Sequence, residues 1–363
     1  MPTTTTKAPA LKPFRQGTRA RRVLVSSLTY TGSTAGQRPA AITLPSTGYL
    51  SRIILDAYGT IDQADNAGAL GVDGYAGLYQ QVVLQANLGS AAIVQASGAG
   101  LDMAARWHGS SRPVSNIFSL GTVAASPFKY SLPIEIAMNH KRQFSLGLIN
   151  LQDPQIQVQL AITFNPVTSI ASHAATTAGT SITVDIWMEY FEVAQPSQYA
   201  QPMLAIARIL EDQYPQSTQV GQNLYQIPRL GVMTDATAIV YANSLRATPT
   251  IMNQFQLRLN KTDYIESRSG QLQAVLDALT LGPTPGVVPG ATPLYGQANP
   301  QIPGTVTMHL WDATDVPDNG DWRDCLDTLE ATTSELLLTI PAGTVVVASD
   351  IIRIVRRTFQ TLG

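Results

Sequence analysis

Residues able to do chemistry are few and scattered. The histidines are His108, His140, His173 and His309, and no two lie two to five residues apart. That is the separation at which a helix or strand presents a metal-binding pair. The single cysteine, Cys325, excludes an intrachain disulfide and a thiolate metal cluster. There is no G-x-S-x-G elbow, phosphate loop or dinucleotide fingerprint. Leu44-Pro45-Ser46-Thr47-Gly48 spells a sortase sorting motif, but it is not followed by the apolar tail and basic end which that signal needs. It reads instead as a turn that ends a strand, with Pro presetting φ and Gly tolerating positive φ. We therefore assign no catalytic residue, no metal ligand and no cofactor from the sequence.

Two charge clusters remain. No acid precedes Asp56, whereas Lys7, Lys12, Arg15, Arg19, Arg21, Arg22, Arg38 and Arg52 fall before it, in a chain of net charge −2. Lys7, Lys12, Arg15, Arg19, Arg21 and Arg22 read as a basic arm directed at a polyanion, either lipid headgroups or nucleic acid. Near the other end, Asp312, Asp315, Asp318, Asp321, Asp324, Asp327 and Glu330 recur every three residues. Their spacing fails the EF-hand pattern. A solvated loop explains them, with divalent-ion binding at a subunit contact through Asp315, Asp318 and Asp321 as the functional alternative.

The elements that must carry these residues are mostly strands. Residues 1–21 are Thr- and Pro-rich without apolar periodicity and read as an extended arm. Gln155–Phe164 alternates Ile156, Val158, Leu160, Ile162 and Phe164 with polar or small residues, the period of a half-buried strand. Ser181–Val193 places Ile182, Val184, Ile186 and Met188 on one face and Thr183, Asp185, Trp187 and Glu189 on the other. Further strands are expected at 22–30, 41–45, 49–61, 78–86, 91–96, 128–139, 143–151, 253–259, 306–311, 334–341 and 344–348. Short helices are expected over 101–107 and 270–281. Met203, Ile206, Ala207 and Leu210 fall at helical spacing between Pro202 and Pro215, so 201–214 reads as a connector helix. A Pro- and Gly-rich loop fills 282–304, a length that points to exposure or an interface. The C-terminal residues Ile351, Ile354, Val355, Thr358, Phe359 and Leu362 fit a helix capped by Asp350. The repeat described next asks for a closing strand there, which we favour.

The chain repeats itself. Pro45, Gly48 and Tyr58 recur as Pro228, Gly231 and Tyr241, each 183 positions on. Leu84 and Asn87 recur as Leu257 and Asn260, 173 on, and Ser97-Gly98 as Ser269-Gly270, 172 on. One shorter loop in the second copy accounts for the drift. With 363 residues, this describes two tandem β-rich copies. The boundaries are 1–21 for the arm, 22–195 for the first copy, 196–218 for a linker and 219–363 for the second.

Charged residues make up 13% of the chain, about half the usual ~25%. Strand faces built of Gln and Thr suit burial against other subunits. No apolar run reaches the length of a membrane-spanning helix. The N-terminus has no apolar signal-peptide core, and the lone cysteine suits synthesis in a reducing cytoplasm.

In layout the chain resembles the double jelly-roll major capsid proteins of tectivirus-like, membrane-containing icosahedral phages. The likeness is carried by RRVLVSSLTY followed by AITLPSTGYLSRIILDAYG, and by SITVDIWMEYFEV. It implies an all-β fold with a few short helices, in which two eight-stranded jelly rolls stand side by side. It further implies a non-enzymatic, homotrimeric, pseudo-hexagonal capsomer in a virion shell, assembled in the host cytoplasm. The partners would be neighbouring capsomers, vertex (penton) and minor capsid proteins, and an internal membrane or packaged genome met by the arm. A different class, a carbohydrate-binding or adhesin protein of tandem β-sandwiches, would use Trp107, Trp187, Trp311 and Trp322 to stack sugars. A core role suits each of them better, Trp187 above all.

Overall fold

The computed structural model describes residues 18–32, 35–62, 71–87, 91–107, 113–115, 126–139, 145–153, 155–170, 179–192, 205–216, 220–243, 245–247, 254–268, 305–309, 326–347 and 350–361. Sixteen strands carry the architecture. The first eight are β1 (Ala20–Tyr30), β2 (Ile42–Thr43), β3 (Tyr49–Ile61), β4 (Tyr79–Ala86), β5 (Ala91–Ala96), β6 (Ser126–Glu135), β7 (Val158–Phe164) and β8 (Ser181–Phe191). The next eight are β9 (Ala205–Pro215), β10 (Gly221–Gln226), β11 (Val232–Ala242), β12 (Gln254–Leu259), β13 (Thr262–Arg268), β14 (Thr305–His309), β15 (Ser334–Ile340) and β16 (Ile351–Thr361). One α-helix, α1 (Gly98–Trp107), follows β5.

Each strand of the first set pairs as its counterpart eight strands later does. In the first set β1 pairs β8, β8 pairs β3 and β3 pairs β6, while β2 pairs β7, β7 pairs β4 and β4 pairs β5. In the second set β9 pairs β16, β16 pairs β11 and β11 pairs β14, while β10 pairs β15, β15 pairs β12 and β12 pairs β13. All of these pairings are antiparallel. Two four-stranded sheets wound in this order, 1-8-3-6 over 2-7-4-5, make a jelly roll. The chain is therefore two jelly rolls in tandem.

The repeated residues hold equivalent places. Gly48 (φ 63°) and Gly231 (φ 98°) both sit one residue before the long strand, β3 or β11. A Cβ at Gly48 would lie 2.4 Å from the Phe191 carbonyl oxygen, so the turn excludes any side chain. Asn87 (φ 50°) and Asn260 (φ 53°) end β4 and β12 in the left-handed region. The Asn87 amide donates to Gln157 O, and its Oδ1 accepts from Gln157 N. Asn260 donates to Thr333 O and accepts from Thr332 N. The amides of Leu44 and Ile227, 183 positions apart, donate to the first residues of β7 and β15. The shorter loop also falls in place: 62–78 joins β3 to β4, while only 243–253 joins β11 to β12.

Period-2 patterning fills the cores. Val158, Leu160, Ile162 and Phe164 of β7 are buried against Ile182, Val184, Ile186 and Met188 of β8 in the first roll's cluster, with Ile156 packed at its margin. We expect Leu160→Ala to cost about 2–5 kcal/mol through lost burial and the cavity left behind. A chemical denaturation midpoint unchanged from the parent chain would contradict this.

Three expectations change. Residues 205–215 form β9, not a connector helix. Met203, Ile206, Ala207 and Leu210 have helical spacing, but hydrogen-bonding partners on both sides decide the matter, β16 antiparallel and β5 parallel. Strand pairing thus places this part of the expected linker in the second roll, and β1 begins at Ala20, within the span read as arm. Residues 344–347 form no strand. The Asp350 carboxylate accepts from Val347 N and from Asn243 N and closes the segment as a turn. The C-terminus is the closing strand β16, so Asp350 caps that turn rather than a helix. The helix expected at 270–281 and the loop 282–304 lie outside the described residues.

Candidate assembly surface and the joint between the rolls

The rolls are joined edge to edge and through buried charge. β5 of the first roll runs parallel to β9 of the second, Val94 opposite Ile209 and Gln95 opposite Leu210. One ten-stranded sheet therefore passes through both. Ile209, Ile239, Tyr241 and Val355 of the second roll belong to the first roll's apolar cluster. α1 lies against this face so closely that a Cβ on Gly100 would be 2.8 Å from Val355 Cγ2.

Polar groups complete the joint. Asp73, in the loop before β4, accepts from the Tyr241 hydroxyl at 2.7 Å and pairs with Arg246 at 3.0 Å and Arg353 at 3.4 Å. Glu211 on β9 accepts from the Ser97 amide at 2.8 Å and the Ser97 hydroxyl at 2.6 Å, and lies 3.6 Å from Arg353. Both guanidinium groups flank the Tyr241 ring. Burial pushes the Tyr241 hydroxyl pKa well up, with the Asp73 carboxylate adding to the rise. Burial disfavours the Arg353 charge, but Tyr241, Glu211 and Asp73 outweigh it and hold the group protonated. Lower on the same face, Arg357 is fully buried, which lowers its pKa, and it donates to the Glu135 carbonyl of the first roll at 2.5 Å.

The other notable surface is the outward face of β1-β8-β3-β6, whose side chains form cross-strand rows. One row is ionic: Glu189 accepts from Arg22 Nε and Arg52 Nε, each at 2.7 Å, and Arg52 lies 3.7 Å from Glu135. The next row is apolar, Leu24–Trp187–Ile54–Pro133 by register. Beyond it Asp185 accepts from Ser27, and Asp56 holds Lys129 at 2.6 Å. Trp187 is thus half-buried on the outer face and not in the core. Alternation along β8 assigned its side correctly, but its apolar character pointed inward.

The residues singled out for charge divide unevenly. Arg21 and Arg22 lie on β1 and are matched by Glu192 at 2.8 Å and by Glu189. The Arg19 carbonyl accepts from the Glu192 amide. Lys7, Lys12 and Arg15 lie outside the described residues, as do Asp315, Asp318, Asp321 and Cys325. Among the described residues no group of three or more His, Cys, Asp or Glu gathers to hold a metal ion. Among them too, no helix is long and apolar enough to cross a membrane. Neither the joint nor the apolar row was foreseen, because their members are far apart in the chain and only strand register brings them together.

No protein-family model and no curated protein matches the chain. Solved structures do. The STIV MCP is similar with TM-score 0.64 and 13% identity over 95% of this chain and 97% of its own. The PBCV-1 virus capsid model follows with TM-score 0.61 and 11% identity over 98% and 96%. The Faustovirus major capsid protein matches with TM-score 0.50 and 8% identity over 100% and 93%. The fold is that of the double jelly-roll major capsid proteins, shared end to end.

Proposed function

We propose that this chain is the structural major capsid protein of an icosahedral virus, forming trimeric pseudo-hexagonal capsomers, and is not an enzyme. The observation that carries this reading is the strand-for-strand equivalence of two jelly rolls fused through β5 and β9. It gives one polypeptide two like building blocks of a shell. The full-length likeness to viral capsid structures supports it. The chemistry supports it too: the charged groups of the joint and of the outer sheet face are spent on one another, in ion pairs that fix geometry. The proposed location is the virion shell, with neighbouring capsomers and vertex and minor capsid proteins as partners.

Sedimentation velocity and negative-stain imaging of the purified chain test the reading. Hexagonal trimers are expected. A monomer with constant sedimentation coefficient over a broad concentration range would overturn it. The basic arm is proposed to meet a polyanion beneath the shell through Lys7, Lys12, Arg15 and Arg19, since Arg21 and Arg22 are already paired on β1. Removing residues 1–19, up to the start of β1, should leave trimers intact and abolish salt-sensitive binding to anionic vesicles or to DNA. The two arms of that assay distinguish lipid from nucleic acid. Unchanged binding to both would exclude the arm as the contact.

A further inference from the structure

The two rolls are equivalent in pairing but differ at one end of their cores. Where β1 begins and β8 ends, the first roll closes with Met188 and Val158 in its apolar cluster and Tyr190 packed against it. Register gives their counterparts in the second roll as Arg356, Ser334 and Thr358. Arg356 and Thr358 share the inward face of β16 with Ile352 and Ile354, and Ser334 shares that of β15 with Leu336 and Leu338. Arg208, on the face of β9 turned away from Ile209 and the first roll, lies directly opposite Thr358. An apolar plug has thus become polar. Arg356 is 1% exposed, Thr358 2% and Ser334 3%. Among the described residues, Nε of Arg208, Nε of Arg356, Oγ of Ser334 and Oγ1 of Thr358 are buried without a hydrogen-bond partner. Arg356 directs its outer nitrogens to the Pro228 carbonyl and to Asp212. Asp212 matches one of the two guanidinium charges, so the group keeps one positive charge. The space has grown as well: Ala236 stands beside Arg356, where Ile53 stands beside Met188.

We infer that this group is a binding site for a phosphate anion, free or at the end of an ester. Folded chains leave few buried polar atoms unpaired, and several gathered in one place call for a partner. Two guanidinium groups against one carboxylate exclude a cation. Residues directly opposite on paired strands lie about 5 Å apart, and same-face neighbours along a strand about 7 Å. One tetrahedral anion can therefore reach Arg208, Arg356 and Thr358 together. Guanidinium N–H groups make their strongest hydrogen bonds to anionic oxygens, and the hydroxyls of Thr358 and Ser334 add donors from two further directions. Donors spread over both sheets suit the four oxygens of a phosphate better than the two of a flat carboxylate. Arg208 is half-buried, which gives the anion a way in past its side chain. The first roll, with Met188 and Val158 in the same places, has no such site.

Titration calorimetry of the purified full-length chain with inorganic phosphate, in chloride buffer of fixed ionic strength, tests the site. One phosphate should bind per chain. Arg208→Gln should weaken that binding roughly tenfold or more, the loss expected when a hydrogen bond to a charged group is removed. Arg356→Met combined with Asp212→Ser restores the residues that the first roll has at these positions and removes the buried pair together. It should abolish binding while the far-ultraviolet spectrum stays that of the parent. Should that variant not fold, Arg208→Gln decides alone, since its position is only half-buried. A soluble short-chain phosphatidic acid identifies the source of the phosphate. It should compete with inorganic phosphate, and depend on Arg208, if the site takes a lipid headgroup; it should leave phosphate binding undisturbed if the site takes the free ion. No saturable binding at millimolar phosphate, or equal affinity in the parent and in Arg208→Gln, would overturn the site and leave its polar atoms to water. Neither result touches the sedimentation test of the capsid reading, which stands or falls separately.

Discussion

Asp73→Ala should destabilise the chain by about 3–5 kcal/mol, the range found when one partner of a buried ion pair is removed. The size follows from what is left behind. Arg246 keeps its place beneath the Tyr241 ring with a side chain only 4% exposed, and loses the carboxylate 3.0 Å away. The Tyr241 hydroxyl loses its acceptor in the same step. Arg353 suffers less, because Glu211 and Ser97 still face it. The double variant Asp73→Ala/Arg246→Met should therefore recover much of the loss, since it takes the unmatched charge away along with its partner. A denaturant titration of the four chains of this cycle reads the coupling directly. Simple additivity of the two single changes would show that the pair does not act as a unit. The joint matters for function because it fixes one roll against the other. In the trimeric capsomer proposed above, the outline is regular only if that angle is fixed.

The sequence carried the repeat in residues whose backbone geometry is hard to replace. Gly48 and Gly231 mark turns with positive φ, and Asn87 and Asn260 end strands in the left-handed region. Such positions tolerate few residue types, so they persist after the rest of two copies has diverged. Strands with one buried face, such as β7 and β8, were readable because alternation is a local signal. β9 was not. Its apolar residues satisfy two periods at once, and only β5 and β16, about a hundred or more residues away in sequence, select the extended form. The apolar row on the outer sheet face was hidden for the same reason. Leu24, Ile54, Pro133 and Trp187 form one row only after three registers are set. Trp187 looked like a core residue because an aromatic ring on a strand is apolar wherever it points. Whether it is buried depends on what is laid over the sheet, and one chain's sequence does not state that.

As pH rises more than about one unit above 10 the fold should fail abruptly, because its deepest tyrosines resist ionisation. Burial raises the pKa of Tyr79, Tyr130 and Tyr241 far above their ordinary value of 10.0. Nearby carboxylates add to the rise: Asp56 for Tyr79, Asp102 for Tyr130 and Asp73 for Tyr241. Two of these hydroxyls are structural donors, Tyr130 to Asp102 at 2.8 Å and Tyr241 to Asp73 at 2.7 Å. A raised folded-state pKa means that the folded chain keeps protons which the unfolded chain releases. Stability is then fully present below pH 10 and falls as pH rises beyond it. Each such group removes about 1.4 kcal/mol per pH unit, so these three remove about 4 kcal/mol per unit. Set against a typical total of about 5–15 kcal/mol, that brings the chain to its unfolding point within about one to four units. Tyrosinate absorbance near 295 nm and far-ultraviolet dichroism should therefore move together in one steep transition. The joint between the rolls and the tie from β6 to α1 would be lost in the same step, because both are held by hydroxyls that must stay protonated. A gradual tyrosinate titration centred near pH 10, complete while the dichroism still reports native strands, would mean that these hydroxyls reach solvent and that the joint is looser than its geometry implies.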